Sequence, residues 1–138
     1  MNIIRGAALL YASVSVGVVA FQIALAVGVP WGKYAMGGAF PGQFPPALRI
    51  AALVQAIVLA ALAAIVMARA GLILNGWSRR APWLVWLVVA FAAVGVVLNV
   101  ITPSGGERAI WAPVTLLLLL SSLIVAIKSA GNGRLRTL

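Results

Sequence analysis

The sequence has no cysteine, no histidine and a single acidic residue, Glu107. Each shortage removes a class of chemistry. Without cysteine there is no disulfide, thiol nucleophile or redox pair. Without histidine or cysteine there is no ordinary zinc, copper or haem site, so neither a metal nor another cofactor is expected. Acid/base work by a carboxylate pair needs two carboxylates, and a Ser-His-Asp triad needs both His and Asp. No residue is assigned a catalytic role, and the chain is expected not to be an enzyme. Charge of any kind is scarce. Charged residues make up 8% of the chain, against roughly 25% in a soluble domain.

What fills the chain instead is apolar. Of its 138 residues 64% are hydrophobic, and ten Lys and Arg leave a net charge of +9. This composition reads as one integral membrane domain, with the lipid bilayer as its main partner. A strongly basic chain also raises nucleic acid as a partner. Here the cations flank apolar runs and pattern no soluble face, which suits anionic lipid headgroups. No nucleic-acid partner is expected.

Four uncharged runs stand out: Gly6 to Val29, Ile50 to Ala68, Pro82 to Ile101 and Ile110 to Ile127. Each meets the ~18-residue threshold for a spanning helix, and none alternates as a membrane strand would. The first resembles a signal peptide, with Arg5 before it and Ala24-Leu25-Ala26 near its end. It is longer than a 7–15-residue signal core, so it is expected to stay as a helix. The expected fold is all-α: a polytopic four-helix bundle with helices at about 6–29, 48–70, 82–101 and 110–128. Pro82 and Pro113 are expected in the first turns of helices three and four. The tail from Gly131 to Arg136 is expected to be mobile.

The cations set an orientation. Arg5, Arg69, Arg79, Arg80, Lys128, Arg134 and Arg136 fall on one side, and Lys33, Arg49 and Arg108 on the other. Both termini are therefore expected in the cytoplasm, with two loops outside. The bias opposes dual topology. Trp31 and Trp111 fall at the outer interface, and Trp77, Trp83 and Trp86 at the inner one, the depth that indole prefers.

Small residues at steps of three or four mark packing ridges. Helix two carries Ala52, Ala56, Ala60, Ala64 and Ala68. Helix one has Ser13, Gly17, Ala20, Ala24 and Gly28, and helix three Ala92, Gly95 and Asn99. Such ridges let backbones approach closely in lipid. They serve packing within the bundle or contact with a second copy or a partner membrane protein, and spacing alone does not separate the two.

Polar residues inside the membrane gather in the outer half. Gln22 and Gln55 each lie ~10 Å below the outer boundary at ~1.5 Å per residue. Asn99 and Thr115 lie near the outer ends of helices three and four. These amides either bond one another and hold the register, or line a small cavity open to the outer face. The first outer loop, Pro30 to Pro46, carries Trp31, Lys33, Tyr34, Phe40 and Phe44 among Gly and Pro. It reads as an ordered lid, with Gly37-Gly38 as a hairpin turn. The lid is either a structural cap or part of a site. In the second outer loop Ser104 or Thr102 is placed to cap helix four, with Glu107 near its N-terminus. Glu107 has Arg49, Lys33 and Arg108 as candidate ion partners. It either pins the lid by a salt bridge or binds a cation or proton at the mouth.

The loop segments Gly28-Val29-Pro30-Trp31-Gly32, Met36-Gly37-Gly38, Pro41-Gly42 with Pro45, Asn99 to Pro103, and Glu107 to Pro113 resemble an uncharacterised family of small four-span bacterial membrane proteins. The resemblance covers most of the chain. It implies a four-helix fold in a bacterial cytoplasmic membrane and implies no activity. The expected role is a non-enzymatic binding, accessory or structural protein. The alternative is a small oligomeric transporter or channel whose site lies near Gln22, Gln55, Asn99, Thr115, Glu107 and Arg49.

Overall fold

A computed structural model describes residues 1–135; the tail cation Arg136 lies outside the described residues. The fold is all-helical, with no strand among the described residues. Five helices follow in order: α1 Ile3–Ala26, α2 Pro46–Arg69, the short α3 Trp77–Arg80, α4 Leu84–Ile101 and α5 Gly105–Leu135. Four of them, all but α3, are long and apolar enough to cross a membrane. They form the four-helix bundle expected from the apolar runs.

The helix ends follow local capping chemistry more than hydropathy. α1 begins ahead of its apolar run because the Asn2 side chain accepts from the Ile4 and Arg5 N–H groups at 2.8 and 3.2 Å. It ends at Ala26 because Gly28, at φ +98°, closes a Schellman turn. There Val29 N–H donates to the Ala24 carbonyl and Gly28 N–H to that of Leu25. α2 ends the same way through Gly71 at φ +71°. Pro82 falls two residues before α4 instead of in its first turn. Pro113 lies well inside α5, because Ser104 starts that helix at Gly105. The tail through Leu135 is not loose chain but the continuation of α5. At ~1.5 Å per residue, 31 residues reach ~46 Å, beyond the ~30 Å hydrocarbon core.

Packing pairs α1 along α2 and α4 along α5, and α1 against α5 joins the two pairs. Ala52, Ala56 and Ala68 of the α2 ridge are buried, Ala64 is partly buried and Ala60 is exposed. A four-residue step overshoots a 3.6-residue turn, so a strict ridge rotates out of one interface. On α1 the expected ridge splits: Ser13, Gly17 and Ala20 are exposed, Ala24 is partly buried and Gly28 is buried, while Ile4, Ala8, Tyr11, Ser15 and Leu25 pack. On α4, Gly95 brings the backbone against the Thr115 methyl, where an added Cβ would sit 3.4 Å away.

Two cores result. The larger occupies the half nearer the termini and includes Ile4, Ala8, Tyr11, Val66, Val85, Val88 and Val125. A smaller one, of Leu25, Phe44 and Ala52, lies at the lid end between α1, α2 and the lid.

The lid, residues 30 to 45, is ordered but is not a hairpin. Two 3-10 turns, Gly32–Tyr34 and Met36–Gly38, replace the expected extended pieces. Gly37 and Gly38 take φ of +69° and +75°, as turn residues. The loop closes through the Gly32 N–H to the Gly42 carbonyl at 2.9 Å. A strand pair here would expose an unpaired edge, which compact turns avoid.

Candidate functional site

Glu107 explains how the lid is held. It stands three residues after Ser104, whose hydroxyl accepts its N–H at 3.1 Å. This is the geometry of a capping box, in which the glutamate side chain normally turns back onto the cap. Here the carboxylate turns away. Its Oε2 accepts the Gly37 N–H at 2.8 Å and the Thr102 hydroxyl at 2.9 Å. The start of α5 is thereby joined to the middle of the lid.

Two further bonds repeat the connection. Ser104 Oγ donates to the Lys33 carbonyl at 3.0 Å, and Trp111 Nε1 donates to the Tyr34 carbonyl at 2.8 Å. Phe21 of α1 packs between the indoles of Trp31 and Trp111, at centroid separations of 6.1 and 4.6 Å. Phe40 meets Phe44 edge-on at 6.4 Å.

The cations expected to pair with Glu107 are turned to other groups. Arg49 donates to the Phe44 carbonyl at 2.8 Å and to Gln43 Oε1 at 3.3 Å. Arg108 donates to the Thr102 carbonyl at 2.6 Å. Lys33 Nζ lies 4.8 Å from the Tyr34 ring centroid. Neutral donors serve Glu107 because backbone geometry brings them to it. The two arginines reach loop carbonyls instead, whose desolvation would otherwise cost energy.

Beneath the lid lies a cavity of about 540 Å³. Its walls include Gln22 of α1, Gln55 of α2, Asn99 of α4, and Thr115 and Glu107 of α5. Tyr34 and Phe44 contribute from the lid. Arg49, Trp31, Lys33 and Phe40 do not line it; they brace the lid from outside. The floor is formed by the buried Tyr11, Leu59 and Leu118.

The amides of this wall differ. Asn99 Nδ2 donates to the Gly95 carbonyl one turn back at 2.8 Å. Thr115 Oγ1 donates to its own helix, to the Trp111 carbonyl at 2.7 Å. Gln22 and Gln55 have no hydrogen-bond partner among the described residues, and neither is sealed from accessible space. They do not bond each other, and both line the cavity.

Several wall residues were invisible in the sequence. Phe21, Phe91 and Met36 are ordinary apolar residues of spans and loops, and nothing in their spacing marks them. Trp111 looked like an interfacial anchor, and its N–H instead tethers the lid. Tyr11 carried the one usable signal, a hydroxyl-bearing ring in mid-span. No protein-family model, curated protein or solved structure matches the chain.

Proposed function

We propose that the chain is a non-enzymatic binding protein of a bacterial cytoplasmic membrane, with both termini in the cytoplasm and the lid outside. Its site is the cavity under the lid. One observation carries the reading: two glutamine amides without protein partners face a roofed cavity in the middle of an apolar bundle. Polar groups inside a membrane are costly unless they have partners. A volume of about 540 Å³ lies within the ~300–1,000 Å³ common for small-molecule sites, which likewise pair apolar walls with a few polar groups.

The alternative, a small transporter or channel, uses the same cavity but needs a path through the other half. That half is filled by Tyr11, Val66, Val85, Val88 and Val125, so binding has the stronger support.

The test is a double variant, Gln22→Leu with Gln55→Leu. Native mass spectrometry of the parent protein in mild detergent should show a bound small molecule. The double variant should melt at or above the parent temperature and lose that molecule. A parent that never carries or takes up any small molecule would refute the reading.

A further inference from the structure

The cavity is not walled equally on all sides. α2 and α4 make the sparsest contact of the neighbouring pairs around the bundle. Both feed the core near the termini, α2 through Val66 and α4 through Val85 and Val88. Toward the lid α2 packs with α1 through Ala52 and Leu25, and no α4 residue is found in that smaller core. Of the exposed members of the cavity wall, Ala51 on α2 and Phe91, Val94 and Leu98 on α4 stand on the lips of this sparse contact, and Met36 lies on the lid. By contrast, the wall residues of α1 and of the spanning part of α5 are buried or partly buried. The opening therefore faces sideways, at the depth of lipid chains.

We infer that the cavity takes a neutral amphiphile with one hydrogen-bonding head, which enters sideways from the lipid leaflet through the slot between α2 and α4. The inference rests on the binding role proposed above and names its ligand class. Charge decides the head. No lysine or arginine lines the cavity, so a phosphate or carboxylate head would be desolvated without a cation. Glu107 is the one charged wall residue, and its Oε2 already takes two donors. The cations Lys33, Arg49 and Arg108 stand on the loops and helix starts around it, which disfavours a cationic head. Among the neutral polar groups of the described wall, the Gln22 and Gln55 amides are without partners, as are the hydroxyls of Tyr11 and Tyr34. A carboxamide offers two donors and an acceptor, which match a hydroxyl, carbonyl or amide. The tail is served by the apolar remainder of the wall. From Leu48 to Leu59 that wall rises ~16 Å along α2.

The test uses the intact protein in phosphatidylcholine vesicles and three photoreactive probes. All carry a diazirine in the same long alkyl chain, ending in a primary alcohol, a carboxylate or a quaternary ammonium. Crosslinks are mapped by peptide mass spectrometry. The alcohol should label the cavity wall in preference to the lipid-facing side of α5, and the other two should not. Ala51→Trp and Val94→Trp each fill one lip from an exposed position, and each should suppress the cavity labelling. Two lips are used so that a folding failure in one leaves the other informative. Gln22→Leu with Gln55→Leu should weaken alcohol labelling about tenfold, as loss of two amide hydrogen bonds in a membrane implies. Preference for the carboxylate or ammonium probe would overturn the neutral head and leave a cavity ligand standing. Alcohol labelling that is equal in both filled variants would overturn the sideways route. If no probe labels the wall, the inference fails, and the native mass spectrum of the parent then decides separately whether the cavity binds anything.

Discussion

Glu107 shows how one residue can be legible in kind and illegible in detail. As the only acidic residue, in a loop before an apolar run, it is an obvious cap and an obvious ion partner. The cap is correct in position, since Ser104 accepts its N–H. The acceptor role of the side chain depends on a backbone N–H seventy positions away, at Gly37. No spacing rule reaches that far, and charge pattern favours the wrong partners. The arrangement has measurable consequences. Glu107→Gln keeps an acceptor and removes its charge, so it should cost about 1 kcal/mol of stability. Glu107→Ala leaves the Gly37 N–H and the Thr102 hydroxyl without their acceptor and should cost about 3 kcal/mol. Thermal unfolding in detergent ranks the three proteins. An alanine variant that melts with the parent would show that the carboxylate does not hold the lid.

At the scale of elements, the four spans were legible because 18 or more apolar residues leave a membrane helix as the one economical fold for the backbone. Their ends were less so. Asn2, Gly28, Ser104 and Gly71 set the termini through one or two hydrogen bonds or a single positive φ, which outweigh hydropathy over the last turn. The lid was legible as ordered, from its aromatic and glycine content, but its hairpin was not real. Paired residues such as Gly37-Gly38 suit a 3-10 turn as well as a hairpin, and only the partner at Glu107 decides between them. Gly32 is the tightest point of the lid. A Cβ there would overlap the Phe40 carbonyl oxygen and come within 2.7 Å of the Gly42 oxygen. Neither atom belongs to a flexible side chain, so Gly32→Ala must move backbone. The expected result is a lid cleaved faster by added protease, with stability lowered by roughly 2 kcal/mol. Gly105→Ala, at the start of α5, is the comparison, because its Cβ meets nothing within 4 Å and its φ is not positive. Equal protection of both variants would show that the lid tolerates a wider closure.

The molecule as a whole is a bundle sealed at one end and hollow at the other. The seal comes from the core of Tyr11, Val66, Val85, Val88 and Val125, and the hollow is the cavity beneath a tethered lid. The general location of the polar wall was legible, because Gln22, Gln55, Asn99 and Thr115 lie at similar depths counted along their helices. The exposed wall residues of α2 and α4 were not, because which face of an apolar helix is left uncovered is a property of packing between helices of similar composition. The cations divide along the same axis. Arg5, Arg69, Arg79, Arg80, Lys128 and Arg134 belong to the end with the termini, and Lys33, Arg49 and Arg108 to the lid end. If lysine and arginine excess marks the cytoplasmic side, the hollow half faces out, and its ligand comes from the outer leaflet. The absence of native cysteine makes this direct to test. Ala39→Cys lies on the exposed lid, and Asn75→Cys on the exposed loop between α2 and α3. Neither replaces a glycine at positive φ, so both should leave the fold intact. In intact cells a membrane-impermeant maleimide should label position 39 at once, and position 75 after permeabilisation alone. The reverse order would place the lid in the cytoplasm and move the ligand to the inner leaflet, while labelling of both positions in intact cells would break the four-span topology itself.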